Sequence, residues 1–370
     1  MQFLKNPLRG VGIKPTTEMS DKQVSTNAEK VLSIFKHCPM SQSTPLLELS
    51  ELGAELGVAD LFLKDERERM GLGSFKATGA AYVIALAASE KIESMPDLSL
   101  ATVKPDQLKQ ILNGSTYVCA SAGNHGLSVA AGARIFGATA VIYLSQTVPE
   151  SFAERLRSYD AEVVRAGNNY EESMVAAAKR AEQMDWILLS DSSWPGYTEI
   201  PTQVMEGYLL IAAEVVSQFD DDPAPSHIFL QAGVGGIAAA ATAYFRSKWE
   251  DEPVIVVVEP EAAPAIIDSV RAGKPVISEG PVSNMGRLDC KEPSHIALGC
   301  LSREADFFVT LSDEEVLEAT QWLTTQGIHA TPSATAGLAA VYHSKSGDTF
   351  REAIGLTESS RVLALITEQA

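Results

Sequence analysis

The sequence is poor in the residues that staple, chelate or carry positive charge. Its four cysteines, at 38, 119, 290 and 300, show no CxxC or other metal-ligand spacing, and its six histidines are scattered. That argues against a disulfide framework and a zinc site, and a reducing cytoplasm fits best. Only 29 Lys and Arg stand against 48 Asp and Glu, a formal charge of −19. Such a field repels nucleic-acid phosphates and anionic lipid, and no Lys/Arg run reverses it locally. No uninterrupted apolar run reaches the roughly 18 residues of a membrane span, and the opening MQFLKNPLRG has no apolar signal core. The partners left are small molecules, without metal, membrane or nucleic acid. What is present is enough apolar material, 45% of 370 residues, to fill two cores.

The first forty-odd residues show no clear period and are expected to form an arm or lid. From Leu61 the pattern sharpens: LFLK (61–64) reads as a strand and KATGAAYVIALAASEK (76–91) as a helix, with 92–114 a surface connection. Strand-like and helix-like pieces then alternate. TYVCA (116–120), ATAVIYL (138–144), AEVVRA (161–166) and WILLS (186–190) are strands, separated by helical spacing at 125–137, 149–159 and 169–184. A second series holds HIFLQ (227–231), VIVVVE (254–259) and RVLALIT (361–367), with a helix over about 201–219 and a capping box at Ser312 and Glu315. Alternation of this kind predicts an α/β protein of two doubly wound, mostly parallel sheet lobes with the site in the cleft between them. The expected division is 1–80 with 193–370 as the larger lobe and 81–192 as a smaller inserted α/β lobe.

Three segments can carry chemistry. In QAGVGGIAAA, the glycines at 233, 235 and 236 join a strand to a helix, where free N–H groups can hold a phosphate. This segment also reads as GxGxxA with Glu259 closing the next strand, so a nicotinamide site competes, as does a plain turn. In GLGSFKATGAA, Lys76 follows a tight turn and precedes an almost charge-free stretch; it is either a solvated surface charge or a buried nucleophilic amine. In SAGNHG, Asn124 offers donors and acceptors among small neighbours, or simply caps a helix, and His125 by itself reads as structural. Together they meet the needs of pyridoxal 5′-phosphate: an amine for a Schiff base, an amide for the ring hydroxyl, and a glycine loop for the phosphate.

In this order, SFK, SAGNHG, the glycine loop and TPSATAGLAA resemble the fold type II pyridoxal-phosphate enzymes, the tryptophan-synthase β-like group, over about residues 44–367. The resemblance implies that Lys76 carries the cofactor, Asn124 contacts the ring hydroxyl, and Gly233, Val234, Gly235 and Gly236 bind the phosphate. It also implies that Ser333 meets the pyridine nitrogen, where a neutral hydroxyl favours prompt β-elimination over transamination. Within the group, KDERERMGLGSFKATG, DSSWPGYTEIPTQVMEGY and MGRLDCKEPS are more similar to the diaminopropionate ammonia-lyases than to the serine and threonine dehydratases, and Asp191, Cys290 and Glu292 fall on matching positions. The implied activity is α,β-elimination from an L-amino acid to a 2-oxo acid and ammonia, with a serine/threonine or 3-hydroxyaspartate dehydratase as the alternative. By the same resemblance Asp191 acts on the substrate's amino groups, and Ser121, Ala122 and Tyr197 border the substrate. Cys290 is expected to be a buried thiol, and core packing competes with a cleft-wall role for Trp194 and Tyr197. Ala122 stands where the ammonia-lyases carry an aspartate that serves D-isomers, so D-isomer turnover and racemisation are not expected. A homodimer is implied by resemblance alone, and with no regulatory module expected before the end at Ala370, allostery is not.

Overall fold

The computed structural model describes residues 1–15, 22–96, 98–121, 123–344 and 348–370. Its eleven strands are β1 (Gln2–Lys5), β2 (Leu46–Glu48), β3 (Asp60–Asp65), β4 (Thr116–Ala120), β5 (Thr139–Leu144), β6 (Glu162–Arg165), β7 (Ile187–Leu188), β8 (His227–Gln231), β9 (Val254–Pro260), β10 (Phe307–Leu311) and β11 (Arg361–Ile366). They form two sheets. The larger runs β1-β10-β9-β8-β11-β3-β2 and the smaller β6-β5-β4-β7. Only the edge strands β1 and β2 are antiparallel, and the rest pair in parallel. The central strands are Val-, Ile- and Leu-rich and buried along nearly their whole length, as a parallel sheet covered on both faces requires.

Strand order decides where a ligand can sit. In the large sheet, β8, β9 and β10 step outward on one side while β11 and β3 lie on the other, so the order reverses between β8 and β11. In the small sheet it reverses between β4 and β7. Helices leave opposite faces at such a point and open a crevice beyond the strands' carboxyl ends. The glycine loop follows β8, Glu368 follows β11, the asparagine turn follows β4 and Asp191 follows β7. Gln231 ties the first crevice together, its Nε2 donating to Ala334 O at 2.8 Å and Leu365 O at 3.1 Å.

The lysine segment reaches the cleft through close packing. The expected helix over 76–91 divides at Gly79 into a 3₁₀ turn, Phe75–Thr78, and an α-helix, Ala80–Glu93. This turn lies on the long helix Glu199–Phe219, where a Cβ at Gly207 would stand 2.2 Å from the Thr78 carbonyl oxygen. Upstream, a buried ionic network fixes the chain: Arg69 donates to both Glu66 and Glu214, while Lys64 donates to Glu214 Oε2 at 2.7 Å and Thr44 O at 2.8 Å. Burial depresses the Lys64 amine; at Glu214 burial acts upward, but Arg69 and Lys64 outweigh it and hold the carboxyl low.

Three local expectations change. Within the expected arm, Gln2–Lys5 is an edge strand in register with β10, Leu4 facing Phe308; four residues are too few to display a period, and only the partner specifies them. The connection at 92–114 contains a helix, Pro105–Ile111, with Pro at its first position. Glu259 does not face a ribose. Fully buried, it accepts from the N–H groups of Ile266 and Ile267 at 2.7 and 2.8 Å and so caps the helix Ala265–Ala272.

Candidate active site

The crevices of the two sheets face each other, and side chains from both meet at Lys76. Its Nζ lies 5.1 Å from the Phe75 ring centroid and 5.7 Å from that of Tyr208, and it donates to Asp191 Oδ2 from the smaller sheet. Burial alone would lower the lysine, but Asp191 and Tyr208 together outweigh it and hold the amine protonated well above its ordinary value. Reciprocally, burial would raise the Asp191 carboxyl, and Lys76 with His125 pulls it well below the usual carboxylate range.

His125 follows Asn124 in the first turn of the helix Asn124–Phe136. Its Nε2 lies 2.8 Å from the Leu189 carbonyl oxygen and must donate there, which leaves Nδ1 unprotonated in the neutral ring, 3.9 Å from Asp191 Oδ2. Burial lowers this imidazole, favouring that neutral form, although the Asp191 charge opposes it. Ser121 shapes the same turn, its Oγ accepting from Gly123 N at 3.2 Å and Gly126 N at 2.9 Å. Ala122 lies outside the described residues.

Asn124 points the other way and donates through Nδ2 to Glu368 Oε2. The second oxygen of Glu368 accepts from Thr331 Oγ1 at 2.5 Å, and Thr331 also caps the helix Pro332–His343. Ser333, in that helix's first turn, is buried and accepts from Arg287 N at 3.1 Å. The glycine loop crosses between these groups. Gly235 at φ +96° takes a backbone form that L side chains rarely adopt, and it opens the helix Gly236–Trp249, whose first N–H groups have no acceptor within the helix. Cys290, half-buried near Asp191, has its thiol pushed up to about 12 by desolvation, so it is an inert neighbour.

Tyr197 stacks on Trp194, centroids 4.3 Å apart, and its hydroxyl donates to Leu188 O and accepts from Ser190 N. It is thereby engaged in holding the segment that presents Asp191. Glu368, Thr331 and Arg287 join the site with little in the sequence to mark them. The only local signal was an acidic residue ending an apolar strand, ITEQ, and nothing local announced the other two.

Among the described residues, the buried polar atoms without a hydrogen-bond partner include Ser74 Oγ, His125 Nδ1 and Tyr208 OH. Ser74 adjoins the lysine turn, Tyr208 faces it and His125 stands across Asp191. Orphans gathered around one amine mark a place for a polar ligand. Residues 39–368 match the sequence profile of the family described as pyridoxal-phosphate dependent enzyme. The chain belongs to that family.

Relatives of this pyridoxal-phosphate enzyme narrow the comparison. It is 33% identical to the diaminopropionate ammonia-lyase of Salmonella typhimurium over 291 residues, 77% of this chain and 72% of that one. It is 31% identical to the diaminopropionate ammonia-lyase of Escherichia coli K12 over 337 residues, 88% of this chain and 84% of that one. The crystal structure of the E. coli ammonia-lyase in complex with D-serine superposes with a TM-score of 0.87 at 27% identity, covering 100% of this chain and 93% of that one. These findings bear out the two-lobed α/β architecture, the fold type II resemblance and pyridoxal phosphate as cofactor. Among the described residues no helix is long and apolar enough to cross a membrane, and no cluster of His, Cys, Asp and Glu has the arrangement of a metal site.

Proposed function

We propose that this chain is an ammonia-lyase that eliminates the β-substituent of an L-amino acid, with L-2,3-diaminopropionate as substrate. The observation that carries the reading is the carboxylate of Asp191 on Lys76 Nζ at the meeting of the two crevices. A carboxylate kept ionised beside the reactive amine recognises a substrate bearing a second ammonium group and keeps that group protonated, so that it can leave as neutral ammonia.

Bound pyridoxal phosphate supplies the electron sink that lets the α-proton leave. Lys76 would anchor it, the N–H groups of the loop from Gly233 through Val234 and Gly235 to Gly236 would receive its phosphate, and Asn124 and Ser333 would hold the ring at its hydroxyl and its nitrogen. Once displaced by the substrate amine, Lys76 takes the α-proton. Asp191 holds the β-amino group as an ammonium, so that it departs with the C–N electron pair as neutral ammonia. Ser121, Ala122 and Tyr197 border the substrate, Tyr197 through the backbone it supports. The product left behind takes up water and loses its α-nitrogen, so each diamino acid yields one 2-oxo acid and two ammonia. We also assign residues 1–80 and 193–370 to the larger lobe and 81–192 to the smaller, and place the enzyme in the cytoplasm as a homodimer; the four unpaired cysteines and the resemblance support this.

The test is a screen of L- and D-2,3-diaminopropionate, L-serine, L-threonine and 3-hydroxyaspartate for 2-oxo acid and ammonia. Release of two ammonia per 2-oxo acid from the L-diamino acid is expected. Turnover confined to the hydroxyamino acids would assign a dehydratase instead.

A further inference from the structure

Arg287 has no part in the scheme above, yet four segments of the cofactor region converge on it. Its backbone N–H donates to Ser333 Oγ at 3.1 Å, and its carbonyl oxygen stands 3.2 Å from where a Cβ at Gly233 would be. The main chain thus buttresses the glycine loop. The side chain crosses the asparagine turn: Nη1, Cζ and Nε come within 2.9, 3.1 and 3.3 Å of the Cβ position of Gly123, so only glycine lets the guanidinium rest there. Nε lies 3.7 Å from Glu368 Oε2, an ion pair longer than a hydrogen bond. Glu368 itself is committed inward, one oxygen to Asn124 and the other to Thr331. Its side chain is 7% exposed, whereas that of Arg287 is 46% exposed. A half-exposed cation therefore borders the cleft beside the turn.

We infer that Arg287 receives the α-carboxylate of the amino-acid substrate. The inference rests on the amino-acid lyase reading and deepens it. The site then holds its ligand between opposite charges, Asp191 beside Lys76 for the ammonium and the guanidinium over Gly123 for the carboxylate. A guanidinium presents two parallel N–H groups to a carboxylate, a match that a lysine does not reproduce. The first N–H groups of the helix Asn124–Phe136 lie at the same turn and add their partial positive charge. In a protein of net charge −19, a carboxylate-bearing ligand needs such a local cation.

The experiment titrates the visible absorbance of the purified holoenzyme with L-alanine and with L-alaninamide, in the native protein and in Arg287→Gln and Arg287→Lys. Neither probe has a leaving group, so the titration reads Arg287 whether or not the chain eliminates ammonia. Absence of diaminopropionate turnover would sink the lyase reading alone. The native protein is expected to bind L-alanine at least about tenfold more tightly than the amide. R287Q should weaken L-alanine binding about 10- to 100-fold with the amide almost unchanged, and R287K should restore part of the loss. Equal weakening for both probes would make Arg287 a strut for the glycine loop and overturn the inference, as would native protein that does not discriminate between them. If R287Q fails to retain cofactor, R287K decides on the same two probes, because an ammonium cannot fork the carboxylate and must still lose part of the discrimination.

Discussion

Lys76 and Asp191 lie 115 residues apart in the chain and share a hydrogen bond at the point where the two sheets' crevices meet. Each holds the other ionised against its own burial. Asp191→Asn keeps the shape and removes the charge. It should lower kcat/KM on L-2,3-diaminopropionate by about 10²–10⁴-fold, the scale of a group that governs where a proton sits in the reaction, and lower activity on L-serine much less. The sign with pH is also fixed. A depressed carboxyl contributes stability that is present above its unfolded value of about 3.9 and lost as pH falls through the native value, and a raised lysine loses its contribution only at alkaline pH. In cofactor-free protein, the gap in urea stability between native and D191N should hold from about pH 5 to pH 9 and shrink in acid.

Gly207→Ala places a methyl group 2.2 Å from the Thr78 carbonyl oxygen and 2.9 Å from Tyr82 Cβ. Backbone cannot yield as a side-chain tip can. We expect a loss of about 1–3 kcal/mol in thermal unfolding. Because Thr78 is two residues from Lys76, the purified variant should also carry less cofactor, read as visible absorbance per protein.

Arg69→Met strips two carboxylates, the buried Glu66 and the nearly buried Glu214, of their shared cation. Removing one member of a buried ionic cluster costs about 3–5 kcal/mol, which the urea midpoint will show. Loss of the arm around Thr44 should accompany it, since Arg69 Nη2 donates to Thr44 Oγ1 at 2.9 Å. Faster proteolysis of residues 38–46 would register that release.

Burial raises the Glu259 carboxyl to about 8, against the pull of two backbone N–H groups. A carboxyl raised in the folded state binds more protons there than when unfolded, so stability falls as pH rises from about 4.3 through 8. Glu259→Gln cannot ionise and should flatten that slope. At low pH the variant should be less stable by about 1–3 kcal/mol, because an amide sets a donor against one of the N–H groups. Guanidinium melts at pH 5 and pH 8 compare the two.

Ala122 carries no group that takes a proton, and we expect D-2,3-diaminopropionate to yield no 2-oxo acid above background. Ala122→Asp should confer measurable D-isomer turnover while leaving the L-isomer within about tenfold. Coupled assay of 2-oxo acid with each enantiomer provides the check.

The parts of this fold that were legible in the chain are those with a local cause. Buried parallel strands announce themselves as short apolar runs, and the loops bearing Lys76, Asn124 and Gly235 sit between a strand and a helix, where their glycines are visible. Those motifs in that order were enough to identify the family and the cofactor. The edge strand Gln2–Lys5 was not legible, since its only specification is its partner β10. Nor was the capping role of Glu259, which matched a ribose-binding pattern until the helix Ala265–Ala272 supplied its donors. The convergence of Arg287, Glu368, Thr331 and Asn124 is of the same kind. By itself, then, the sequence determined the alternating architecture and the chemical parts, because each rests on a few adjacent residues. Only the tertiary structure decided which carboxylate faces which amine, because strand order within the two sheets, and the packing of one crevice against the other, set those distances.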